Sequence, residues 1–499
     1  MRERGAYANL ALPALLRERG LTGRDAAFAT ELSYGALRAQ GTLDVIIAKA
    51  AGRPATEIDP PVLDVLRLGA YQLLRTRVPP HAAVSETVAL ARAAVGPRPV
   101  GFVNAVLRRV AERDEEAWLT AVAPPYSSDP IGNLAIRYAH PQWIVAAFAD
   151  ALGGDLAEAG RALAADDSRP ETHLVARPGR IDRDELATLA GGEPGPWSPY
   201  AVRLPSGGDP GALAAIRDGR AAVQDEGSQL CALAAVAAPL DGPDARWLDL
   251  CAGPGGKAAL LGSLAALRAH PLAGSAGSGP GSAGSGPGSA GSGPGSAGSG
   301  PGSAGSGSGL GSAGSDSALA APGSAPAGAG AGQSVQAPHL TAVERNPIRA
   351  RLVAGATAGL PVTVLQADGT VPAWPPATFD RVLVDAPCTG LGALRRRPEA
   401  RWRRLPTDVP SLTALQRALL TSAVDATRPG GVTVYVTCSP HLAETRAVVA
   451  EACRRLPVEQ LDARPLFGDL PDLGPGPHVQ LWPHRHGTDA MFCAVLRRR

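Results

Sequence analysis

Lysine is nearly absent from this chain of 499 residues, in which only Lys49 and Lys257 occur, so almost all of the positive charge is arginine. The net charge of +2 excludes no class of partner. Richness in alanine, glycine, arginine and proline is typical of a GC-rich genome and indicates no function by itself. Arginine can nevertheless pair with a phosphate through two hydrogen bonds and stack on a base, which lysine cannot do. The composition is compatible with nucleic-acid binding without indicating it.

Paired cysteines and long apolar runs are also missing. The six cysteines are widely spaced and form no Cys-x-x-Cys pair, so the sequence indicates neither a zinc site nor a disulfide framework. No signal peptide precedes the first predicted helix, and no run of about 18 apolar residues is present to span a membrane. We therefore expect a cytoplasmic protein with reduced cysteines, no bound metal, no membrane contact and no obligate protein partner.

The second half of the chain is organised around residues 246–257, which read Arg-Trp-Leu-Asp-Leu-Cys-Ala-Gly-Pro-Gly-Gly-Lys. Trp247, Leu248 and Leu250 predict a short buried strand, the glycines a tight turn, and the apolar residues 258–267 a helix. Such a junction directs backbone N–H groups and the positive end of the helix dipole to one point, which suits a nucleotide-like ligand. The spacing is not the Gly-x-Gly-x-x-Gly of dinucleotide-binding folds, so hydride transfer is the weaker interpretation.

The chain divides into three parts by pattern. Residues 1–125 predict an all-helical domain, because apolar side chains recur there at helical spacing. Residues 126–222 mix helical and strand-like patterns and predict a small α+β connector. Residues 223–499 alternate strand-like and helical stretches, which is typical of a mostly parallel sheet covered on both faces. The helices predicted in the first domain are Tyr7–Arg17, Ala26–Arg38, Leu43–Ala50, Pro61–Leu74, Ser85–Val95 and Phe102–Glu112. The strands predicted in the last domain are Trp247–Leu250, Leu340–Val343, Val362–Gln366, Arg381–Asp385, Gly431–Thr437 and Phe492–Leu496.

A low-complexity insert interrupts the last domain at about 273–337. It repeats Gly-Ser-Ala-Gly-Ser-Gly-Pro with a seven-residue period and has almost no large apolar side chains, so we expect a flexible coil. Lengthening a loop costs little, because the entropy of loop closure grows only with the logarithm of its length. The insert is therefore expected to be a tolerated repeat expansion, with a functional tether as the alternative.

Side chains suited to chemistry follow four of the predicted strands. Glu344 and Asp368 end two of them, where a carboxylate can accept hydrogen bonds from a ribose or face an adenine amino group. Asp385 and Cys388 follow a third strand, and Cys438 follows a fourth. Parallel strands end at one edge of a sheet, so we expect these side chains to lie close together. Thiolates are strong nucleophiles, so a nucleophilic role is predicted for these two cysteines. Metal binding is the alternative role, but no further cysteine or histidine clusters beside them in the sequence. The cysteines predicted to be small buried side chains are Cys231, Cys251, Cys453 and Cys493.

Three motifs of this domain are similar, in order and spacing, to those of the RNA 5-methylcytosine methyltransferases of the RsmB/Sun/NOP group. They are residues 249–257, Asp385-Ala-Pro-Cys388 and Thr437-Cys438-Ser439. The segment Gln224-Asp-Glu-Gly-Ser228 resembles the one that precedes the first motif in that group. The resemblance implies a Rossmann-like methyltransferase domain that uses S-adenosylmethionine to methylate carbon 5 of a cytosine in RNA.

The helical front of the chain resembles the NusB family of RNA-binding domains at residues 24–35, 66–74 and 101–109. That family usually has more of a first helix, so we expect the protein to start upstream of Met1. A NusB-like domain ahead of the methyltransferase domain resembles the bacterial RsmB (Sun) branch, which modifies small-subunit (16S) ribosomal RNA. The expected fold is thus an all-α NusB-like domain, an α+β connector that helps to cover RNA, and an α/β methyltransferase domain.

The resemblance also implies roles for individual residues. Cys438 would be the nucleophile that adds to carbon 6 of the cytosine, Asp385 would contact the base, and Cys388 would assist release of the methylated product. DNA cytosine methyltransferases use the cysteine of a Pro-Cys pair as the nucleophile, so the reverse assignment of the two cysteines stays open. The implied S-adenosylmethionine site consists of Cys251, Ala252, Gly253, Pro254, Gly255, Gly256, Lys257, Glu344, Asp368 and Asp385.

A run of arginines follows the Asp385 loop directly. Such a run is usually a solvated surface, but beside a catalytic loop and with a tryptophan it favours contacts with RNA phosphates and bases. The target cytosine must leave its stack to reach a catalytic pocket, which single strands, loops and flipped bases allow. The residues predicted to contact RNA are Arg395, Arg396, Arg397, Arg401, Trp402, Arg403 and Arg404.

Two departures from the family pattern concern the fit of the substrate. Members often carry Glu-Asn-Glu after the Thr-Cys-Ser motif, where this chain has Ala443-Glu-Thr445, and Asp-Gly-Phe-Phe near the end, where it has Asp489-Ala-Met-Phe492. Two alternative functions remain. The same chemistry on tRNA is one, and the other is a NusB-type RNA-binding factor whose methyltransferase half is inactive.

Overall fold

The computed structural model describes residues 7–205, 209–269 and 338–499. The front of the chain folds into helices whose apolar faces meet in one core. Leu43, Ile46, Ile47, Leu66 and Leu107 are fully buried in this core, and their spacing along each helix is the helical spacing on which the prediction rested. The helices are α1 (Ala8–Glu18), α2 (Gly23–Arg38), α3 (Gln40–Ala51), α4 (Pro60–Arg75), α5 (Pro80–Ala94), α6 (Val100–Val110) and α7 (Glu115–Val122).

Three further helices connect this bundle to the rest of the chain, namely α8 (Pro130–Arg137), α9 (Gln142–Ala151) and α10 (Leu156–Asp167). They share an apolar cluster with the last part of the chain, in which Phe148 meets Trp482 edge to face at 5.7 Å between ring centroids. The loop residues Leu391 and Leu394, which follow Cys388, are buried in the same cluster. These helices therefore pack against the loop that carries one of the candidate catalytic cysteines.

A small antiparallel sheet follows, with strand order β2-β3-β1-β4. It packs on a helix through its own apolar cluster, so the segment is α+β as its pattern predicted. Its elements are β1 (Thr172–Ala176), α11 (Arg183–Ala190), β2 (Glu193–Pro194), β3 (Ala201–Leu204), α12 (Ala214–Arg217) and β4 (Ala221–Val223).

The last part of the chain forms a mixed sheet with the order β10-β12-β9-β8-β5-β6-β7 and a short strand, β11, beside β12. The pairings among β7, β6, β5, β8 and β9 are parallel, whereas β12 runs antiparallel to β9 and to β10. The elements are α13 (Glu226–Ala237), β5 (Arg246–Asp249), α14 (Gly256–Ala269), β6 (His339–Val343), α15 (Pro347–Ala356), β7 (Val362–Leu365), β8 (Phe379–Asp385), α16 (Ala400–Arg403), α17 (Asp408–Ala426), β9 (Thr427–Thr437), α18 (Arg446–Arg455), β10 (Val458–Leu461), β11 (Val479–Gln480), α19 (Pro483–His486) and β12 (Phe492–Arg498).

Both faces of this sheet are covered. Trp247 and Leu248 are adjacent on β5, yet the first is buried in one apolar cluster and the second in the other, because successive side chains of a strand point to opposite faces. The predicted α/β architecture is confirmed. The predicted insert at about 273–337 lies outside the described residues, and no helix among those described is long and apolar enough to cross a membrane.

Candidate active site

The carboxyl ends of five neighbouring parallel strands meet at one edge of the sheet. Asp249 ends β5, Glu344 follows β6, Asp368 follows the end of β7, Asp385 ends β8 and Cys438 follows β9. Sequence reasoning predicted this edge as the ligand-binding edge of an open α/β sheet, and the strand pairings place the five ends side by side.

The glycine turn after β5 packs so closely on its neighbours that an added side chain would displace them. A Cβ atom on Gly253 would lie 2.1 Å from Oε2 of Glu344, and one on Gly255 would lie 2.8 Å from Cβ of Ala356. Gly255 also has a φ of +113°, a backbone conformation that L-residues rarely adopt. The glycines therefore let the turn run close to Glu344 and α15, and the backbone N–H groups at the start of α14 suit a nucleotide-like ligand.

Glu344 and Asp368, the predicted ribose and adenine contacts, differ in environment. Glu344 is buried, accepts a hydrogen bond of 2.8 Å from the backbone N–H of Asn346, and lies 3.4 Å from the Arg349 guanidinium. Asp368 is more exposed and accepts hydrogen bonds of 3.0 and 2.7 Å from the N–H and hydroxyl of Thr370. Both carboxylates are fixed by local donors at the ends of their strands.

Asp249 is a candidate functional residue that sequence reasoning did not select. Its side chain is fully buried, and neither carboxylate oxygen has a hydrogen bond of good geometry among the described residues, although the backbone N–H of Cys251 and the charge of Lys257 partly stabilise the carboxylate. Burial, together with the nearby carboxylates of Asp385 and Glu344, raises the pKa of Asp249 from 3.8 to about 7. A buried carboxyl group whose oxygens lack hydrogen bonds is costly unless a ligand supplies donors, so Asp249 is suited to a ligand that carries N–H groups. Its position directly before the glycine turn was the signal available in the sequence.

Lys257 and Asp385 connect the cofactor turn to the catalytic loops. Nζ of Lys257 lies 2.8 Å from Oδ2 of Asp385, and the lysine side chain is nearly buried. Burial lowers the pKa of Lys257, but the Asp385 carboxylate outweighs it and holds the pKa above its ordinary value. Lys257 therefore stays positively charged within the site.

The two candidate catalytic cysteines lie side by side, with a separation of 3.5 Å between the Sγ atoms of Cys388 and Cys438. A hydrogen bond from Cys388 lowers the pKa of Cys438, while burial and the Asp385 carboxylate raise it. The positive charges of Lys257 and Arg397 act in the same direction as the hydrogen bond. The same hydrogen bond raises the pKa of Cys388 well above its ordinary value, and burial and the Glu444 carboxylate add to this. The site thus favours a thiolate at Cys438 and a thiol at Cys388.

The predicted RNA-contact residues occupy three different environments. Arg395 and Arg396 form ion pairs with two carboxylates: each lies 2.9 Å from Asp489, and they lie 3.4 and 2.7 Å from Asp225. Only 6% of the Arg395 side chain is exposed, so this guanidinium is not available to a phosphate. The two arginines join the Gln224–Ser228 segment to the loop before β12, which corrects the prediction for Arg395 and assigns it to structural support.

Arg401 is also buried rather than facing RNA. Its guanidinium donates hydrogen bonds to the backbone carbonyls of Arg38, at 2.9 Å, and Asp166, at 2.6 Å, and lies 3.5 Å from Asp167. Beside it, the Trp402 ring packs against Gly41 so closely that a Cβ there would lie 2.4 Å from it. Both side chains attach α16 to the helical domain, and the prediction that Arg401 contacts phosphate is corrected accordingly.

Three arginines of the run remain on the surface. Arg397 is exposed, and no described carboxylate pairs with it. The Arg403 guanidinium lies over the Tyr7 ring at 5.1 Å, and Arg404 is 3.9 Å from Asp408.

In residues 7–205, 209–269 and 338–499 no group of three or more His, Cys, Asp or Glu side chains could hold a metal ion.

Comparison with known proteins agrees with this architecture. Residues 317–497 match the family model described as 16S rRNA methyltransferase RsmB/F, and residues 1–112 match that of the NusB family. A putative methyltransferase of Mycobacterium tuberculosis is 53% identical over 99% of this chain and 93% of its own length. The ribosomal RNA small subunit methyltransferase B of Salmonella arizonae is 30% identical over 100% of this chain and 96% of its own. The crystal structure of PH0851 has the same fold, with a TM-score of 0.69 and 18% identity over 97% of this chain and 93% of that one.

The predicted family, methyltransferase fold and S-adenosylmethionine cofactor are thereby confirmed. The match to the RsmB/F model starts within the region that separates α14 from β6, so the glycine turn lies outside it and is recognised by its geometry instead. With a NusB-family domain at its front, this chain belongs to the RsmB/F family of 16S rRNA methyltransferases.

Proposed function

We propose that the protein methylates carbon 5 of a cytosine in 16S rRNA through a covalent bond between Cys438 and carbon 6 of the base. The observation that carries the proposal is the pair of thiols at the ligand-binding edge of the sheet, whose Sγ atoms are 3.5 Å apart. The lowered pKa of Cys438 and the raised pKa of Cys388 favour Cys438 as the nucleophile. Carbon 5 of cytosine is too electron-poor to accept a methyl group unaided. A nucleophilic thiol at the ligand-binding edge of a methyltransferase sheet supports this chemistry over simple RNA binding.

S-adenosylmethionine, when bound, supplies the methyl group. The glycine turn from Cys251 to Lys257 would hold it together with Glu344 and Asp368, and Asp249 is suited to accept hydrogen bonds from its ammonium group. The close packing at Gly253 and the missing donors around Asp249 support this assignment. The same cofactor site would serve methylation of any nucleophile, so the two cysteines carry the assignment to cytosine.

The chain's own residues account for each remaining step. Addition of the Cys438 thiolate to carbon 6 turns carbon 5 into an enamine-like nucleophile. Asp385 would contact the base, and the Lys257 ammonium, 2.8 Å from Asp385, would offset the negative charge that develops at N3. After methylation, transfer of the carbon 5 proton to a solvent water and departure of the Cys438 thiolate restore the double bond between carbons 5 and 6. Cys388, held as a thiol next to Cys438, would assist this release.

The test uses purified protein, labelled S-adenosylmethionine and, in separate reactions, small-subunit rRNA and tRNA, with Cys438→Ala and Cys388→Ala as variants. We expect Cys438→Ala to lose both methyl transfer and the gel-stable protein–RNA adduct, and Cys388→Ala to accumulate the adduct. An adduct that accumulates in Cys438→Ala instead would reverse the two roles. Methyl transfer only to tRNA would favour the tRNA alternative. If the wild type methylates no cytosine, the remaining hypothesis is an RNA-binding factor whose methyltransferase half is inactive.

A further inference from the structure

The carboxylate of Glu444 is fully buried near the two cysteines, although the proposed chemistry does not use it. Oε1 accepts hydrogen bonds from the backbone N–H of Thr389 at 2.8 Å and from Nε2 of Gln416 at 3.1 Å. Oε2 accepts hydrogen bonds from the hydroxyls of Ser439 at 2.7 Å and Thr389 at 2.5 Å. Four donors converge on this side chain and fill the acceptor sites of its carboxylate, so the groups that supply them are held to it.

The donors are the chain neighbours of the catalytic thiols. Thr389 follows Cys388, and Ser439 follows Cys438. Gln416 also donates a hydrogen bond of 2.9 Å to the carbonyl of Pro387, the residue before Cys388. Through these contacts Glu444 holds the backbone on both sides of Cys388 and the residue that directly follows Cys438.

We propose that Glu444 is a positioning residue that holds the Cys388 and Cys438 loops together and so sets the separation of their sulfur atoms. The two loops leave neighbouring strands, β8 and β9, and the described contacts that join them include the Glu444 carboxylate and a hydrogen bond of 2.9 Å from the N–H of Gly392 to the carbonyl of Cys438. The proposal rests on the proposed function for its consequence in catalysis, since a displacement of about 1 Å can lower a rate by about 100-fold.

The positioning role predicts different effects for different side chains at position 444. In Glu444→Gln the amide oxygen can still accept from the Thr389 N–H and from Gln416, while its NH₂ group faces two hydroxyls that can rotate to accept. In Glu444→Ala every one of these hydrogen bonds is lost. We therefore expect Glu444→Gln to keep most of the arrangement and Glu444→Ala to lose it.

The decisive experiment measures the separation of the thiols without relying on methyl transfer. Dibromobimane alkylates two nearby thiols with loss of two bromide ions, and peptide mapping identifies the Cys388–Cys438 product among the other cysteines. Gln229→Ala is the matched control, because Gln229 is equally buried and donates to the carbonyls of Leu174 and Gln224, away from both cysteines. Steady-state kinetics and the thermal midpoint are measured on the same samples.

We expect Glu444→Ala to form the cross-link at least about 10-fold more slowly and to lower kcat by about 100-fold, with the KM for S-adenosylmethionine little changed. Glu444→Gln should restore both quantities to near the wild-type level, and Gln229→Ala should cross-link normally despite lower stability. Cross-linking of Glu444→Ala at the wild-type rate, or an equal loss in Gln229→Ala, would overturn the proposal.

Two further outcomes can be distinguished from a failure of the positioning role. If Glu444→Ala does not fold, Thr389→Val takes its place, since it removes one hydroxyl donor at almost constant volume; unchanged cross-linking and kcat in that variant would also overturn the proposal. If the wild type methylates no cytosine but cross-linking still depends on Glu444, the proposed function fails while the positioning role stands.

Discussion

Arg401, on the segment that follows Cys388, donates a hydrogen bond of 2.9 Å to the backbone carbonyl of Arg38 in the helical domain. The same guanidinium donates to the carbonyl of Asp166 at 2.6 Å. Asp167 lies 3.5 Å from Arg401 and 2.7 Å from Arg75 of α4. One buried cation therefore joins the NusB-like domain, the end of α10 and the catalytic loop.

Substitution of Arg401 by alanine should destabilise the protein rather than merely weaken RNA binding. The change removes the arginine donors to three backbone carbonyls, those of Arg38, Ala139 and Asp166. It also removes one of the two arginines that neutralise Asp167. Breaking a buried ion pair in this way typically costs about 3–5 kcal/mol. Urea unfolding of Arg401→Ala measures the cost, and methyl transfer at a temperature where the variant is folded should also fall.

Arg404→Ala is the control for this prediction, since Arg404 is partly exposed and lies 3.9 Å from Asp408. Its free energy of unfolding should change by less than about 0.5 kcal/mol. If Arg401→Ala instead kept its stability and lost a salt-dependent part of its RNA affinity, the result would support the phosphate contact that the sequence predicted for Arg401.

The contrast between Arg401 and the sheet shows what the sequence could reveal. Helices and strands follow from local periodicity, and the site edge follows from the rule that parallel strands end together, so Glu344, Asp385 and Cys438 were predictable. The environment of Arg401 was not, because its partner Arg38 lies 363 positions away and an arginine run reads the same whether it is solvated or buried. Asp249 was missed for the same reason, since its missing hydrogen-bond donors are visible only in three dimensions.

Arg397 should provide the phosphate contact that its buried neighbours cannot. It is exposed, and its charge acts on the Cys438 thiol. Arg397→Ala should weaken binding of small-subunit rRNA and reduce the slope of log Kd against log salt by about 1, with no change in the thermal midpoint. It should also raise the pKa of Cys438, measurable from the pH dependence of alkylation.

Arg455→Ala serves as the comparison, because Arg455 is 75% exposed at the end of α18 and pairs with Glu451. Its RNA affinity and salt slope should match the wild type. Equal effects of the two substitutions would indicate a diffuse charge effect and no specific contact at Arg397.

Alanine at Gly253 should affect the cofactor site more than the fold. The added Cβ would lie 2.1 Å from Oε2 of Glu344 and 2.9 Å from Nε of Arg349, the outer ends of two side chains that can move. Movement of Glu344 relieves the clash but displaces a proposed ribose contact. We expect S-adenosylmethionine to bind at least about 10-fold more weakly by calorimetry, corresponding to about 1.4 kcal/mol, with a smaller change in the free energy of unfolding.

Gly355→Ala is the matched glycine substitution. Gly355 lies in α15 and has nothing within 4 Å of an added Cβ, so alanine there should leave cofactor binding unchanged and stabilise the helix by up to about 1 kcal/mol. Undiminished cofactor affinity in Gly253→Ala would remove Glu344 from the proposed site.

The environment of Asp249 links cofactor binding to pH. Its pKa of about 7 in the folded protein exceeds the ordinary value of 3.8, so the folded state binds this proton more tightly than the unfolded chain does. The stability that Asp249 contributes is therefore complete below about pH 4 and is lost as the pH rises to about 7. Each pKa unit corresponds to about 1.4 kcal/mol, so the loss at pH 8 amounts to a few kcal/mol.

Asp249→Asn should consequently be more stable than the wild type at pH 8 and closer to it at pH 5, because the amide cannot ionise. The wild type should bind S-adenosylmethionine more tightly as the pH rises through 7, since the ionised carboxylate attracts the cofactor's ammonium group, whereas the variant should bind weakly at both values. Urea unfolding and calorimetry at pH 5 and 8 measure both effects. A variant that gains stability but keeps the wild-type affinity at pH 8 would show that Asp249 is a buried acid without contact to the cofactor.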